Sequence, residues 1–153
     1  MKIKHIWSVL CKESVINQDD NVISLIGILE DLNTTLTPND PKIPRPEKIT
    51  IPFNFEVVSY WTRTSVEDDI LHIKTVIIGP DGEEISSVLN DSTFPNNVQR
   101  LRTRLKAQGL TLTKSGDYLI KISFKLNKEA NYKLVAELPL KVKITIAVPN
   151  SHS

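Results

Sequence analysis

The chain carries one cysteine, Cys11, among its 153 residues. A single thiol excludes an intramolecular disulfide. It also excludes, within one chain, a zinc site of four cysteines or of paired cysteines and histidines. So little cysteine fits a reducing compartment, and a cytoplasmic location is expected. Net charge is nearly absent too: 19 Lys and Arg against 18 Asp and Glu leave +1. No global field therefore draws the molecule to nucleic acid or to a membrane, and any electrostatic function falls to a local patch. No apolar run approaches the ~18 residues of a membrane span. Lys2 and Lys4 before Ile6-Trp7-Ser8-Val9-Leu10-Cys11 have the outline of a lipoprotein signal. The apolar run is shorter than an h-region of about 7–15 residues, and Leu10 is bulky where cleavage prefers small residues. The segment reads as a first strand.

Motifs of catalysis are missing as well. There is no P-loop, dinucleotide fingerprint, His-Glu-x-x-His helix or nucleophile elbow. Cys11 is followed by Lys12-Glu13 with no histidine pattern nearby, as expected of a buried, inert thiol. His5 alternates with Trp7 and is expected to be half-buried. His72 follows the acidic run Glu67-Asp68-Asp69, which reads as a solvated loop leading into a strand. Calcium-binding sandwiches gather aspartates from several loops, and Asp19, Asp20, Asp68, Asp69 and Asp81 are the residues of that kind here. Nothing in the sequence brings their loops to one end. No catalytic residue, metal site or cofactor is expected, and the protein reads as a non-enzyme.

What is present is alternation with period two. Tyr132, Leu134, Ala136, Leu138, Leu140, Val142, Ile144, Ile146 and Val148 share one parity, with Lys133, Glu137, Lys141, Lys143 and Thr145 on the other. Pro139 lacks an N–H, which predicts a bulge, a bend or an edge there, and two strand pieces. Tyr118, Ile120, Ile122, Phe124 and Leu126 point inward opposite Lys121, Ser123 and Lys125. Phe53, Phe55, Val57 and Trp61 share a face opposite Asn54, Glu56 and Tyr60. The continuous apolar run Ile70 to Ile78 suits a central strand. The turn Gly79-Pro80-Asp81-Gly82 then leads to a returning strand from Ile85 to Leu89. Ile3–Lys12 and Val22–Leu29 form a hairpin across Asn17-Gln18-Asp19-Asp20-Asn21. Val98–Gln108 reads as a strand with Leu101, Thr103, Leu105 and Ala107 on one face, in preference to a short helix. Thr37–Lys48, with Pro38, Pro41, Pro44 and Pro46, is a long surface loop.

Hydrophobic content of 40% and charged content of 24% are those of a globular domain able to bury a core without disulfides. The expected fold is all-β: a two-layer antiparallel β-sandwich of seven to nine strands. It would be immunoglobulin-like in architecture only, since the cysteine pair is absent. One domain over 1–149 is expected, with a polar tail at 150–153 that includes His152.

Ile6-Trp7-Ser8-Val9-Leu10-Cys11, a polar turn and then Ser24-Leu25-Ile26-Gly27-Ile28 resemble the start of a bacterial domain-of-unknown-function family. That family has a Leu-Cys-Asp first strand and a Ser-Leu-Ile-Gly-Ile-Phe second strand. The Gly79-Pro80-Asp81-Gly82 hairpin and the Gly116-Asp117-Tyr118 strand start are similar to it, and the likeness covers roughly residues 3–127. Lys12 stands where that family has an acid. The resemblance implies a β-sandwich and brings no activity, ligand or catalytic residue. Independently, Gly27 within an apolar strand predicts a bulge or a close backbone approach.

Two features bear on binding. Tyr60-Trp61 offers one outward ring, since Trp61 belongs to the core face, and one exposed tyrosine is a poor sugar platform. Arg100, Arg102, Arg104 and Lys106 project to one side of a strand, spaced about 6.6–6.8 Å, twice the rise per residue. Such a stripe serves as a solvated outer face, neutralised by Glu83, Glu84 or acids of another strand, or as protection for an edge strand. The first reading of function is a non-enzymatic binding or accessory module with an unidentified protein partner. The alternative is a weak anion or nucleic-acid binder using those four cations. No membrane partner is expected.

Overall fold

The computed structural model describes residues 3–37, 47–64 and 70–147. The proline-rich stretch through Pro38, Pro41, Pro44 and Pro46, the acidic run Glu67-Asp68-Asp69 and the tail with His152 lie outside the described residues. All regular structure among the described residues is strand. In chain order the strands are β1 (Ile3–Ile16), β2 (Ile23–Ile28), β3 (Asp31–Leu36), β4 (Ile49–Ile51), β5 (Phe55–Arg63), β6 (Ile70–Ile78), β7 (Glu84–Thr93), β8 (Arg100–Ala107), β9 (Leu110–Leu112), β10 (Gly116–Leu126) and β11 (Lys133–Ile146). None of the described residues forms a helix long and apolar enough to cross a membrane.

Two sheets form the sandwich. Sheet A has the order β2-β1-β5-β8, and sheet B the order β3-β11-β10-β6-β7. The short ribbon β4-β9 adds Ile51, Leu110 and Leu112 to the core. Every pairing is antiparallel except β3 with β11, which is parallel. The β11-β10-β6 and β5-β8 neighbours match the G-F-C and B-E neighbours of an immunoglobulin sandwich. So does a tyrosine corner. The Tyr118 hydroxyl, at the start of β10, donates to the Lys114 carbonyl (2.6 Å) and accepts from the Thr113 N–H (3.0 Å). Two residues on, where that architecture carries its second cysteine, stands buried Ile120.

The alternating patterns place the core as expected over β5, β6 and β10. Trp61 and Phe124 are 0% and 2% exposed and meet edge to face across the two sheets, ring centroids 5.2 Å apart. The Trp61 indole N–H is satisfied by the Thr103 hydroxyl at 3.0 Å. At the β6–β7 turn Gly82 takes φ +82° and its N–H reaches the Gly79 carbonyl at 3.0 Å, so the predicted hairpin forms. Residues 100–107 are a strand, and no helix competes there.

β11 departs from its sequence pattern. Pro139 does not split it; the strand is continuous, with Pro139 opposite Leu119. The Lys141 N–H, two residues on and so facing the same way, donates to Glu30 just before β3. Pro139 thus turns its nitrogen to a side where β3 has not yet begun, and no ladder bond is lost. The irregularity sits at Val135, the extra residue between the pairs Ile122↔Ala136 and Ser123↔Leu134. That bulge reverses parity. Val135 packs on the core, Leu134 is 47% exposed, and Tyr132 lies under Lys74 and Lys125 instead of facing inward.

Truncating either aromatic of the cross-sheet contact removes a well-packed ring. Trp61→Ala and Phe124→Ala are each expected to destabilise the fold by about 3–5 kcal/mol, read as a lower urea midpoint. A change under about 0.5 kcal/mol in both, the scale of surface substitutions, would contradict this core.

Candidate binding groove

A bulge in β1 decides what faces outward. β1 pairs with β5 through His5↔Trp61 and then Trp7↔Tyr60, leaving Ile6 as the extra residue. Simple alternation would put His5 and Trp7 on one side. The bulge instead packs His5 edge-on against Trp61 (5.0 Å) and stacks Trp7 on Tyr60, centroids 5.7 Å apart with planes at 29°. Tyr60 therefore does not stand alone on the outer face of sheet A.

The first hairpin covers part of that face. β1 leaves β5 after Cys11↔Glu56 and continues paired only with β2. Gly27 takes φ +68°, with the Lys12 side chain about 3.0 Å from where a Cβ would sit, which accounts for the glycine in this strand. Beyond this point Ser14 meets Glu56. Its backbone N–H donates to Glu56 Oε2 and its hydroxyl to Oε1 at 3.0 Å. Glu56, expected on a wet face, is 5% exposed for that reason. Cys11 and Val58, on the same outer face, are fully buried. At the tip, Asp20 accepts from the Val22 N–H (3.0 Å) and Asn21 takes φ 59°, while the Asn21 carbonyl accepts from Arg102 Nη2.

The four cations of β8 lie on this face. Arg102 is opposite Tyr60, Arg104 opposite Val58 and Lys106 opposite Glu56 on β5. Arg100, Arg104 and Lys106 are exposed, whereas Arg102 is half-buried beneath the hairpin tip. Among the described residues its Nη1 is buried without a hydrogen-bond partner. Arg104 Nη1 reaches the Ser14 hydroxyl at 3.4 Å. Glu83 and Glu84 do not neutralise the stripe, but an acid of another strand, Glu56 of β5, stands opposite Lys106. Glu83 accepts from Thr113 (3.1 Å) near the β6–β7 turn, and Glu84 belongs to β7 of sheet B.

Between hairpin tip and sheet lies a groove of about 430 Å³, lined by Trp7, Tyr60, Ile16, Ile23, Arg100 and Arg102 among others. That volume is in the range of ligand sites, about 300–1,000 Å³. A second depression of about 480 Å³, beside Lys12, Asp31, Asn33 and Phe53, has one cation balanced by one acid. Sequence reasoning placed the cations and Tyr60. It missed Trp7, Ile16 and Ile23, because only the bulge and the folded-back hairpin bring them there.

The other candidates lie elsewhere. His72 sits on sheet B between Asp91 (Nδ1 to Oδ1, 2.6 Å) and Asn127 (3.1 Å). No cluster of three or more His, Cys, Asp or Glu able to hold a metal forms among the described residues. Burial pushes the Cys11 thiol above its ordinary value, and the Glu56 charge pushes it the same way, so little thiolate forms. His5 Nε2 is 2.7 Å from the Ser8 hydroxyl, which is 2.7 Å from that of Ser59. No family model matches the chain, and a search of curated proteins finds no match.

Two predictions follow from these contacts. Glu56→Ala leaves the Ser14 N–H without its acceptor, costing about 1–3 kcal/mol. It is also expected to release the hairpin, so that a thiol reagent labels Cys11 faster in the native state; an unchanged labelling rate would show that Glu56 does not hold the arm down. The second prediction concerns pH. Burial lowers the His5 pKa below its ordinary value of 6.5, opposed by a weaker backbone hydrogen bond at Trp7. The unfolded chain takes up the proton first, so this contribution is complete above the unfolded value and is lost as pH falls through the native one. Between about pH 7.5 and about pH 5 the wild type should lose more stability than His5→Gln. Equal losses would count against a neutral, desolvated imidazole.

Proposed function

We propose that the protein is a non-enzymatic β-sandwich binding module whose ligand is anionic and lies on the outer face of sheet A, along Arg100, Arg102, Arg104 and Lys106. The observation that carries this reading is Arg102. Its guanidinium is anchored at one nitrogen by the Asn21 carbonyl, and the side chain lines one groove together with the exposed Arg100. A guanidinium presents donors in a fixed fork suited to carboxylate or phosphate, so two of them at one groove favour an oxyanion. A cytoplasmic location and kinship with the resembled bacterial family belong to the same proposal, and neither specifies the ligand.

A protein partner is the second reading, favoured by β2. It is an edge strand of sheet A, and its Ile26 and Ile28 are 50% and 59% exposed. An unpaired apolar edge is a template for strand addition.

The anionic reading is tested by titrating a labelled single-stranded oligonucleotide, with linear polyphosphate alongside, against salt. If all four cations contact phosphates, log affinity for the oligonucleotide should fall against log salt with a slope of roughly −3. Arg100→Glu with Arg104→Glu, both exposed positions, should abolish binding of either polymer with the fold intact. No binding at low salt, or equal binding by both proteins, would sink the proposal.

A further inference from the structure

We infer that the groove is a base-stacking pocket, which makes the anionic ligand single-stranded nucleic acid, with one base against Trp7–Tyr60 and its phosphate on Arg100 and Arg102. This rests on the basic-strand reading above and adds the chemistry of the ligand to it.

The groove combines two demands that a simple anion does not meet together. Arg100 and Arg102 supply charge; Trp7, Tyr60, Ile16 and Ile23 supply an apolar, partly aromatic wall. An inorganic anion leaves that wall unused, and a neutral sugar leaves the guanidinium groups unused. A nucleotide uses both, because it joins a planar ring to a phosphate. The spacing supports the match. Tyr60 and Arg102 are directly opposite on adjacent strands, so their Cβ atoms are about 4.5–5.5 Å apart. A ring resting on the aromatic pair therefore has a guanidinium at its margin.

The cations also continue past the groove. Arg104 and Lys106 follow along β8, which is the edge of sheet A, so a chain leaving the pocket meets two further exposed cations, Arg104 beside Ser14 of the hairpin and Lys106 opposite Glu56. Sites for single strands join these two parts, a positively charged track and aromatic rings that take bases without reading their sequence. A duplex does not fit the same arrangement, because its bases are stacked within the helix and reach such a pocket only when flipped out.

The test uses tryptophan fluorescence of the full chain. The protein has two tryptophans, Trp7 in the groove and Trp61 fully buried. The probes are an oligothymidylate of about twelve residues, a length such tracks cover, the corresponding duplex, and linear polyphosphate. The oligothymidylate should quench emission, and Trp7→Phe should remove that quenching while binding persists. Tyr60→Ala should weaken oligothymidylate binding roughly tenfold and leave polyphosphate binding and the salt slope unchanged. Tyr60→Leu keeps an apolar side chain at the position and should show the same loss, which separates lost stacking from lost folding. The duplex should bind more weakly than the single strand. If both polymers bind alike, without quenching and without an effect at Tyr60, the stacking pocket is refuted and the charged track survives. If neither polymer binds at low salt, both fail.

Discussion

Glu56 lies on the outer face of a sheet, where a carboxylate is ordinarily solvated, yet it is 5% exposed. Taking a carboxylate out of water is costly unless donors replace the solvent. Here both come from one residue, the backbone N–H and the hydroxyl of Ser14. Because β1 has already left β5 at Cys11, its distal half is free to turn, and the Ser14–Glu56 pair fixes where it goes. The arm then lies across the outer face, burying Cys11 and Val58. Arg104 touches the same Ser14, and Arg102 reaches the Asn21 carbonyl at the tip. Without this clasp sheet A would present an open face with no groove.

The bulge at Ile6 works with the clasp at the other end of β1. One extra residue reverses which side chains face the core. Inward it sends His5, which packs on Trp61 and bonds to Ser8, itself bonded to Ser59. Polar groups therefore enter the core margin in partnered form. Outward it sends Trp7 onto Tyr60, facing the tip of the same hairpin. The apolar wall of the groove and the polar chain behind it are two consequences of one irregularity.

The period-two pattern made the sandwich legible. Over β10 parity alone identifies the buried residues Tyr118, Ile120, Ile122 and Phe124. The misses have physical causes. Parity propagates only until a bulge, so the extra residue at Val135 turns Leu134 and Tyr132 away from the face that alternation predicts. β3 gave little signal because Asp31, Asn33, Thr34 and Thr35 are polar. It is an edge strand held by parallel pairing to β11, with Leu32 and Leu36 as its core contacts. Pro139 predicted a break because sequence does not say which side of a strand has a neighbour. The burial of Glu56 was out of reach for a similar reason: alternation assigns a residue to a face and cannot say what later covers that face. The four cations of the candidate site were visible in the sequence, but the groove that distinguishes them was not.

That difference bears on why β8 is so basic. Charge on an edge strand discourages pairing with other chains, and Arg100, Arg104 and Lys106 need no other explanation, since all three are exposed. Arg102 does not fit that role. A protective charge works in solvent, whereas this guanidinium is half-buried under the hairpin with one buried N–H unpartnered among the described residues. Leaving such a donor unsatisfied costs about 1–3 kcal/mol, more where the group is charged. A lysine in water would guard the edge equally well without that cost. An arginine held beside two aromatic rings, next to the exposed Arg100, is better suited to the proposed oxyanion, which would meet the part of the side chain that is not buried.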